Sequence, residues 1–277
     1  MALRTLSDLE SKLVMELEWQ EKQLVTLQDV MDILGCSYGH ARKLAHQLEK
    51  KRWLDRLTPG KYQFIPAGRG SQAVPDMNPL LVGSVLVEPY YYSYATANHF
   101  YGFSTQVPAT VYIATTVTKR PTEIRGVEYR FVSLKPAKFF GHQMTQVYTA
   151  EVLMAEPEKA VIDSLDKMGY VGGIVEVARV VRGAFQRVDL HKLADYALRM
   201  GSHALVQRLG YLLETSEQTL PPEVKTRLLD GVGQAKTYLG PVSRWGTSGE
   251  YNARWQVVVN VPGQLLGELG AYYELNE

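Results

Sequence analysis

Apolar residues recur along the first quarter of the chain at helical spacing and then at strand spacing. Leu6, Leu9, Leu13, Val14 and Leu17 repeat on one face, which predicts an amphipathic helix. Ser7, with Glu10 three residues on, supplies a capping box for its start. Thr26 caps a second helix, where Asp29 suits the N-terminal dipole and Val30, Ile33 and Leu34 face inward. Gly35 ends that helix in a tight turn. A third helix starts at Ser37 and buries Ala41, Leu44, Ala45 and Leu48. Trp53 and Leu54 then begin a strand, Thr58-Pro59-Gly60-Lys61 turns, and Tyr62, Phe64 and Ile65 return. Two short helices meeting at a glycine, followed by a hairpin, predict a winged helix-turn-helix over residues 1–70.

Beyond it, residues 67–75 are rich in glycine and proline and predict an interdomain linker. The chain from 78 to 277 reads differently. Residues 93–102 predict a short helix ending at glycine, and strand-like runs follow at 110–117, 127–134, 139–144 and 147–153. Helical segments come next, near 156–167, 173–182, 189–200, 202–213 and 221–231, with late strands at 236–240 and 255–259. Strands first and helices after predict an α+β fold: an N-terminal winged helix-turn-helix, then a C-terminal domain with a mixed or antiparallel sheet and a helical segment.

Composition is that of an ordinary soluble protein, with 45% hydrophobic and 21% charged residues and a net charge of +1. The charge is unevenly spread. Residues 1–35 carry three basic and seven acidic side chains, whereas 36–70 carry eight basic and two acidic. A small domain with a basic face and an acidic back orients itself on a polyanion. The exposed face of the third helix carries Tyr38, His40, Arg42, Lys43 and His46, with Lys50, Lys51 and Arg52 at its end. In this motif the N-terminal part of the second helix of the pair enters the major groove. Arg42, Lys43 and His40 are therefore expected at base edges or the groove rim, with Ser37 and Tyr38 at a phosphate near the helix N-terminus. Gly39 leaves room for close backbone approach, and Lys61 at the wing tip is expected to meet a phosphate or the minor groove. A merely solvated basic face, or a wing that packs on another protein, is the alternative. His40 and His46 lack partner Cys or His residues at ligand spacing, so no metal is expected.

The single cysteine, Cys36, rules out an intramolecular disulfide and fits a reducing cytosol. It reads as a small packing residue in the turn, with redox sensing as the rival role. Apolar residues near the N-terminus are broken by Asp8, Glu10 and Lys12, so no signal peptide is expected. No run approaches the ~18 apolar residues of a membrane helix, and the expected location is cytoplasmic. The second half holds no P-loop, dinucleotide fingerprint, HExxH or GxSxG. Gly169-Tyr-Val-Gly-Gly173 follows a helix rather than a strand and reads as a hinge or turn. Lys159 and Asp163, four residues apart, read as a helix-surface pair, and Pro157 suits a first helical turn. No catalytic residue, cofactor or enzymatic activity is expected. The aromatic cluster of Tyr90, Tyr91, Tyr92, Tyr94, His99, Phe100, Tyr101 and Phe103 predicts core packing, with contact to a partner protein or nucleic acid as the second reading.

Four features together resemble the AbiEi-type antitoxins of type IV (abortive infection) toxin–antitoxin systems. They are the N-terminal winged helix, the stretch SYATANHFYGFSTQVP at 93–108, the strand at 110–116, and AEPEKAVID at 155–163 opening a helix. The resemblance spans residues 5–185. It implies a protein of two functions: a winged helix that binds double-stranded DNA repeats in its own promoter and represses it, and a C-terminal domain that counters a nucleotidyltransferase-like toxin without requiring a stable complex. It carries over no catalytic residue, and for DNA only the positions of the helix 37–46 and the wing tip. Two rivals stand beside it: a stand-alone transcription factor whose second domain binds a ligand or protein, and an enzyme tethered to DNA. The lack of a carboxylate or His constellation argues against the enzyme. No heptad repeat marks a dimer helix, so cooperating monomers and a dimer both stand open.

Overall fold

The computed structural model describes residues 5–70, 78–147, 150–216 and 218–267. The fold is α+β and divides into two compact units, residues 1–88 with 146–152, and residues 89–145 with 153–277. The first unit therefore extends past residue 70. Of the expected linker, residues 71–75 lie outside the described part.

In the first unit, α1 (Asp8–Trp19) starts where the capping box places it, with the Ser7 amide donating to Glu10 Oε2 at 2.7 Å. Leu13, Val14 and Leu17 are buried as the periodicity requires, but Leu9 turns outward, 46% exposed. The position it vacates on the inner face belongs to Glu10, which is buried and paired with Lys51 at 2.6 Å. Strand β1 (Leu24–Thr26) leads into α2 (Leu27–Leu34), where Thr26 Oγ1 accepts from the Asp29 amide at 3.1 Å and the Thr26 amide donates back to Asp29 at 2.6 Å. Gly35 closes α2 in the left-handed conformation at φ 61°, which costs a glycine little. Helix α3 (Tyr38–Lys50) follows, then the hairpin of β2 (Leu54–Thr58) and β3 (Lys61–Phe64). The sheet order is β1-β3-β2, all antiparallel, with Leu24 opposite Gln63 and Leu54 opposite Phe64. One core unites these elements through Leu13, Leu17, Val25, Val30, Leu44, Leu48, Trp53 and Phe64, with Cys36 partly buried against it. The short helix α4 (Pro79–Ser84) belongs to the same unit.

The other elements begin with β4 (Tyr91–Tyr92), α5 (Tyr94–Phe100), β5 (Thr110–Thr115), β6 (Thr122–Ile124) and β7 (Val127–Ser133). With β8 (His142–Val147) and β9 (Ala150–Ala155) they make a six-stranded sheet in the order β6-β7-β5-β4-β9-β8. The sheet is mixed: β5 runs parallel to β7 and β4 parallel to β9, while β4–β5 and β6–β7 are antiparallel. The strand expected at 139–144 starts only at His142, after a 3₁₀ turn at Pro136–Lys138.

Helices α6 (Pro157–Asp166), α7 (Ile174–Ala184), α8 (Leu190–Arg199), α9 (His203–Glu214) and α10 (Pro222–Asp230) match the expected helical segments to within a few residues. α6 is central: it packs against α5, α7, α8 and α9, and every residue from Glu158 to Leu165 is buried. A small sheet of β10 (Thr237–Tyr238), β11 (Glu250–Asn252) and β12 (Val257–Val259) follows, with α11 (Val242–Trp245) inside it and α12 (Gly263–Gly267) after it. Among the described residues no helix is long and apolar enough to cross a membrane.

Candidate nucleic-acid interface

The first unit has a groove of about 490 Å³ between α3 and the β2–β3 hairpin. One wall is the outer face of α3, where Tyr38, Arg42, Lys43 and His46 project. The other is the hairpin, with Arg56, Pro59, Gly60 and Tyr62. The apolar positions of α3 explain the first wall. Ala41, Leu44, Ala45 and Leu48 fix one side of the helix in the core, so the intervening positions must face solvent. Tyr38 is 59% exposed. Ser37, His40 and Lys50 are also exposed, so seven of the nine expected contact residues are open to solvent; Tyr38, Arg42, Lys43 and His46 line the groove, whereas Ser37, His40 and Lys50 lie outside its lining. Ser37 makes no side-chain cap to α3, and the first-turn amides of the helix have no partners inside it. His46 meets Glu49 at 3.4 Å. Among the described residues no group of three His, Cys, Asp or Glu side chains is placed to hold a metal.

The other two expected contacts, Lys51 and Lys61, already have partners within the chain. Lys51 is partly exposed, and its ammonium pairs with Glu10, whose carboxylate is almost fully buried. Burial pushes the Glu10 carboxyl up, but hydrogen bonds from Lys51 and the Ser7 amide outweigh it and hold the group below the usual carboxylate range. Lys51 is thus a clasp between the end of α3 and α1. Lys61 is also engaged: its ammonium donates to the Val85 carbonyl at 2.9 Å. The hairpin tip does not project freely, because the Leu27 amide donates to the Gly60 carbonyl at 3.1 Å and fastens the tip to the start of α2. Gly60 adopts φ 78° there, which a side chain would strain.

The hairpin's available cation is instead Arg56, exposed on β2 directly opposite Tyr62. Burial pushes the Tyr62 phenol up, while the nearby Arg56 and Arg42 pull it down, so both guanidiniums act on one spot of the groove. Strand alternation gave no signal for Arg56: it stands two residues from buried Leu54, on the face that a regular strand turns inward, yet it is exposed, beside a register shift between Arg56 and Thr58 and the burial of Leu57.

In the second unit, the stretches at 93–108 and 155–163 converge. Asp163 on α6 accepts from Ser93 Oγ at 2.8 Å and from Tyr91 Oη at 3.0 Å, and it pairs with Lys159. Lys159 also donates to Tyr91 Oη at 3.1 Å and lies over the Phe140 ring at 4.9 Å. Lys159, Asp163 and Ser93 have no exposed surface, so the expected helix-surface pair is corrected to a fully buried one. Burial pushes the Asp163 carboxyl up against the opposing pull of Lys159, Ser93 and Tyr91. Asn98 Nδ2 donates to Ser164 Oγ at 2.9 Å and extends this polar seam. Of the aromatic cluster, Tyr91, Tyr92, Tyr94 and Phe103 are core residues, whereas Phe100 is partly exposed. Without solvent access the network's work is to hold α6 against β4 and the start of α5.

No protein-family profile matches the chain, and no curated protein sequence matches it. Three solved chains match its structure. One is the RV2827C protein from Mycobacterium tuberculosis, similar over 97% of each chain with a TM-score of 0.63 and 17% sequence identity. A likeness at that identity concerns the fold: the α+β arrangement runs the length of both chains.

Proposed function

We propose that the first unit is a winged helix that binds double-stranded DNA, with α3 as recognition helix and the β2–β3 hairpin as a short wing. The observation that carries this reading is the open basic wall of α3 facing Arg56 across one groove. Arg42 and His46 suit base edges, Lys43 and Lys50 suit the phosphates flanking them, and Ser37 with the first-turn amides suits a phosphate at the helix start. Arg42, Lys43 and His46 lie toward the N-terminal part of α3, the part that inserts into a major groove, and Lys50 follows at its end.

The biological reading is an autorepressor of its own promoter and an antitoxin of the type IV class, countering a nucleotidyltransferase-like toxin. The motifs at 93–108 and 155–163 support the antitoxin half, together with their meeting at Ser93 and Asp163.

Arg42→Glu with Lys43→Glu tests the DNA half. In a mobility-shift assay on the gene's own promoter at ~150 mM salt, binding should be lost, because like charge at a phosphate-facing wall repels the duplex. Unchanged affinity overturns the assignment. The same variant separates the two halves: co-expressed with a nucleotidyltransferase-like toxin encoded beside it, the pairing this reading requires, it should still rescue growth while failing to repress. Rescue that disappears with DNA binding, in a protein that still folds, counts against separate roles.

A further inference from the structure

Helix α1 is not fully occupied by the core. Leu9, Met15 and Trp19 are 46%, 71% and 80% exposed, and tryptophan is among the residue types most enriched as anchors of protein contacts. Leu9, Lys12, Glu16 and Trp19 follow the three–four–three spacing of coiled-coil a and d positions, with apolar residues at the two ends and opposite charges at the two middle positions. The seam lies outside the stripe of Leu13, Val14 and Leu17 that faces the core. About three turns are too few to register as a heptad repeat in the sequence, and only the exposure of Leu9 and Trp19 separates this stripe from the buried one.

We propose that this seam is a self-association surface whose occupant is α1 of a second copy, running antiparallel. In an antiparallel pairing each a position meets a d position. Leu9 then meets the second copy's Trp19, and Lys12 meets its Glu16, each pair formed twice about the twofold axis. Parallel pairing sets Lys12 against Lys12 and Glu16 against Glu16, so charge selects the antiparallel arrangement. The charges are available for this. Among the described residues Lys12 has no ion-pair partner within its own chain, and Glu16 is engaged only by the Gln20 side-chain amide at 2.7 Å. None of the seam residues lines the basic groove, so the inference stands whether or not that groove binds DNA.

Two faces of a 12-residue helix make a small interface. Below about 1,200 Å² in total, such contacts are weak and transient, so dissociation constants in the micromolar to sub-millimolar range follow. Sedimentation velocity on the full chain, with concentration raised toward ~1 mM, should show a monomer–dimer equilibrium. Lys12→Glu alone and Glu16→Lys alone should each weaken it roughly 10- to 100-fold, since each sets like charges together. The combined Lys12→Glu/Glu16→Lys variant should restore it, and Trp19→Ala should weaken it with the charges intact. These side chains lie off the core, so circular dichroism should be unchanged throughout. A wild-type chain that stays monomeric overturns the proposal. So does an association indifferent to the single reversals, or one the combined swap fails to restore.

Discussion

Helices α3 and α6 carry charged or polar side chains at the same four-residue spacing, Arg42 with His46 and Lys159 with Asp163, and they come to opposite ends. The first pair faces open solvent over a groove. The second has no exposed surface and is enclosed by Tyr91, Ser93 and Phe140. The difference comes from neighbours rather than from the helices themselves. α3 is covered on one side by a single core, whereas α6 has four helices around it. A charge left exposed is available to a ligand at little cost, whereas a buried charge must be paired and hydrogen-bonded, and then serves the fold. This contrast separates the candidate interface from the scaffold.

The strongest test of the comparison is to break the buried pair. Lys159→Ala or Asp163→Ala strands one charge in the core and should cost about 3–5 kcal/mol of stability in urea unfolding. Replacing both, as Lys159→Met with Asp163→Leu, should cost less than either single change, because no charge is then left unpaired. A double variant as unstable as the singles would show that Tyr91 and Ser93, not the ion pair, carry the energy. On the exposed side, Arg42→Ala should leave stability within about 0.5 kcal/mol and cost about 1–3 kcal/mol of DNA binding if it reads a base edge.

Lys51 sits between these extremes and sharpens the line. Lys51→Ala leaves Glu10 buried without its ammonium partner and should cost about 1–3 kcal/mol of stability. Glu10 titrates lower in the folded chain than its ordinary 4.5. Its contribution is therefore complete above that value and fades as pH falls through the lower folded one. Lys51→Ala should flatten this acid limb of a stability–pH profile, and an unaltered limb would mean that the Ser7 amide alone holds the carboxylate. The smallest expected effect distinguishes two cations of the hairpin. Arg56→Ala should reduce the salt slope of DNA binding by about 0.9, whereas Lys61→Ala, already bonded to Val85, should leave the slope unchanged.

Much of the first unit was legible because its signals are local. The capping box at Ser7, the cap at Thr26, the glycine at 35 and the apolar stripe of α3 all act within one or two turns, and each stands where the pattern placed it. Strand β1 escaped notice because three residues carry no periodicity, and it exists only through pairing with β3. In the second unit the helices were legible, but the burial of Lys159 was not. A charged side chain on an amphipathic pattern reads as surface until the covering elements are known, and its partner Tyr91 comes from 68 residues earlier.

What the sequence determined by itself was where the longer helices begin and end, and that basic charge collects between residues 36 and 70. Those follow from propensity, capping and periodicity, which are short-range. Which basic residues remain free was decided only by the tertiary structure. Lys51 is claimed by Glu10 from 41 residues away and Lys61 by a carbonyl 24 residues on, while Arg56 stays open. The physical reason is that availability depends on desolvation and on partners brought together by the packed core, and neither is written into any single stretch of the chain.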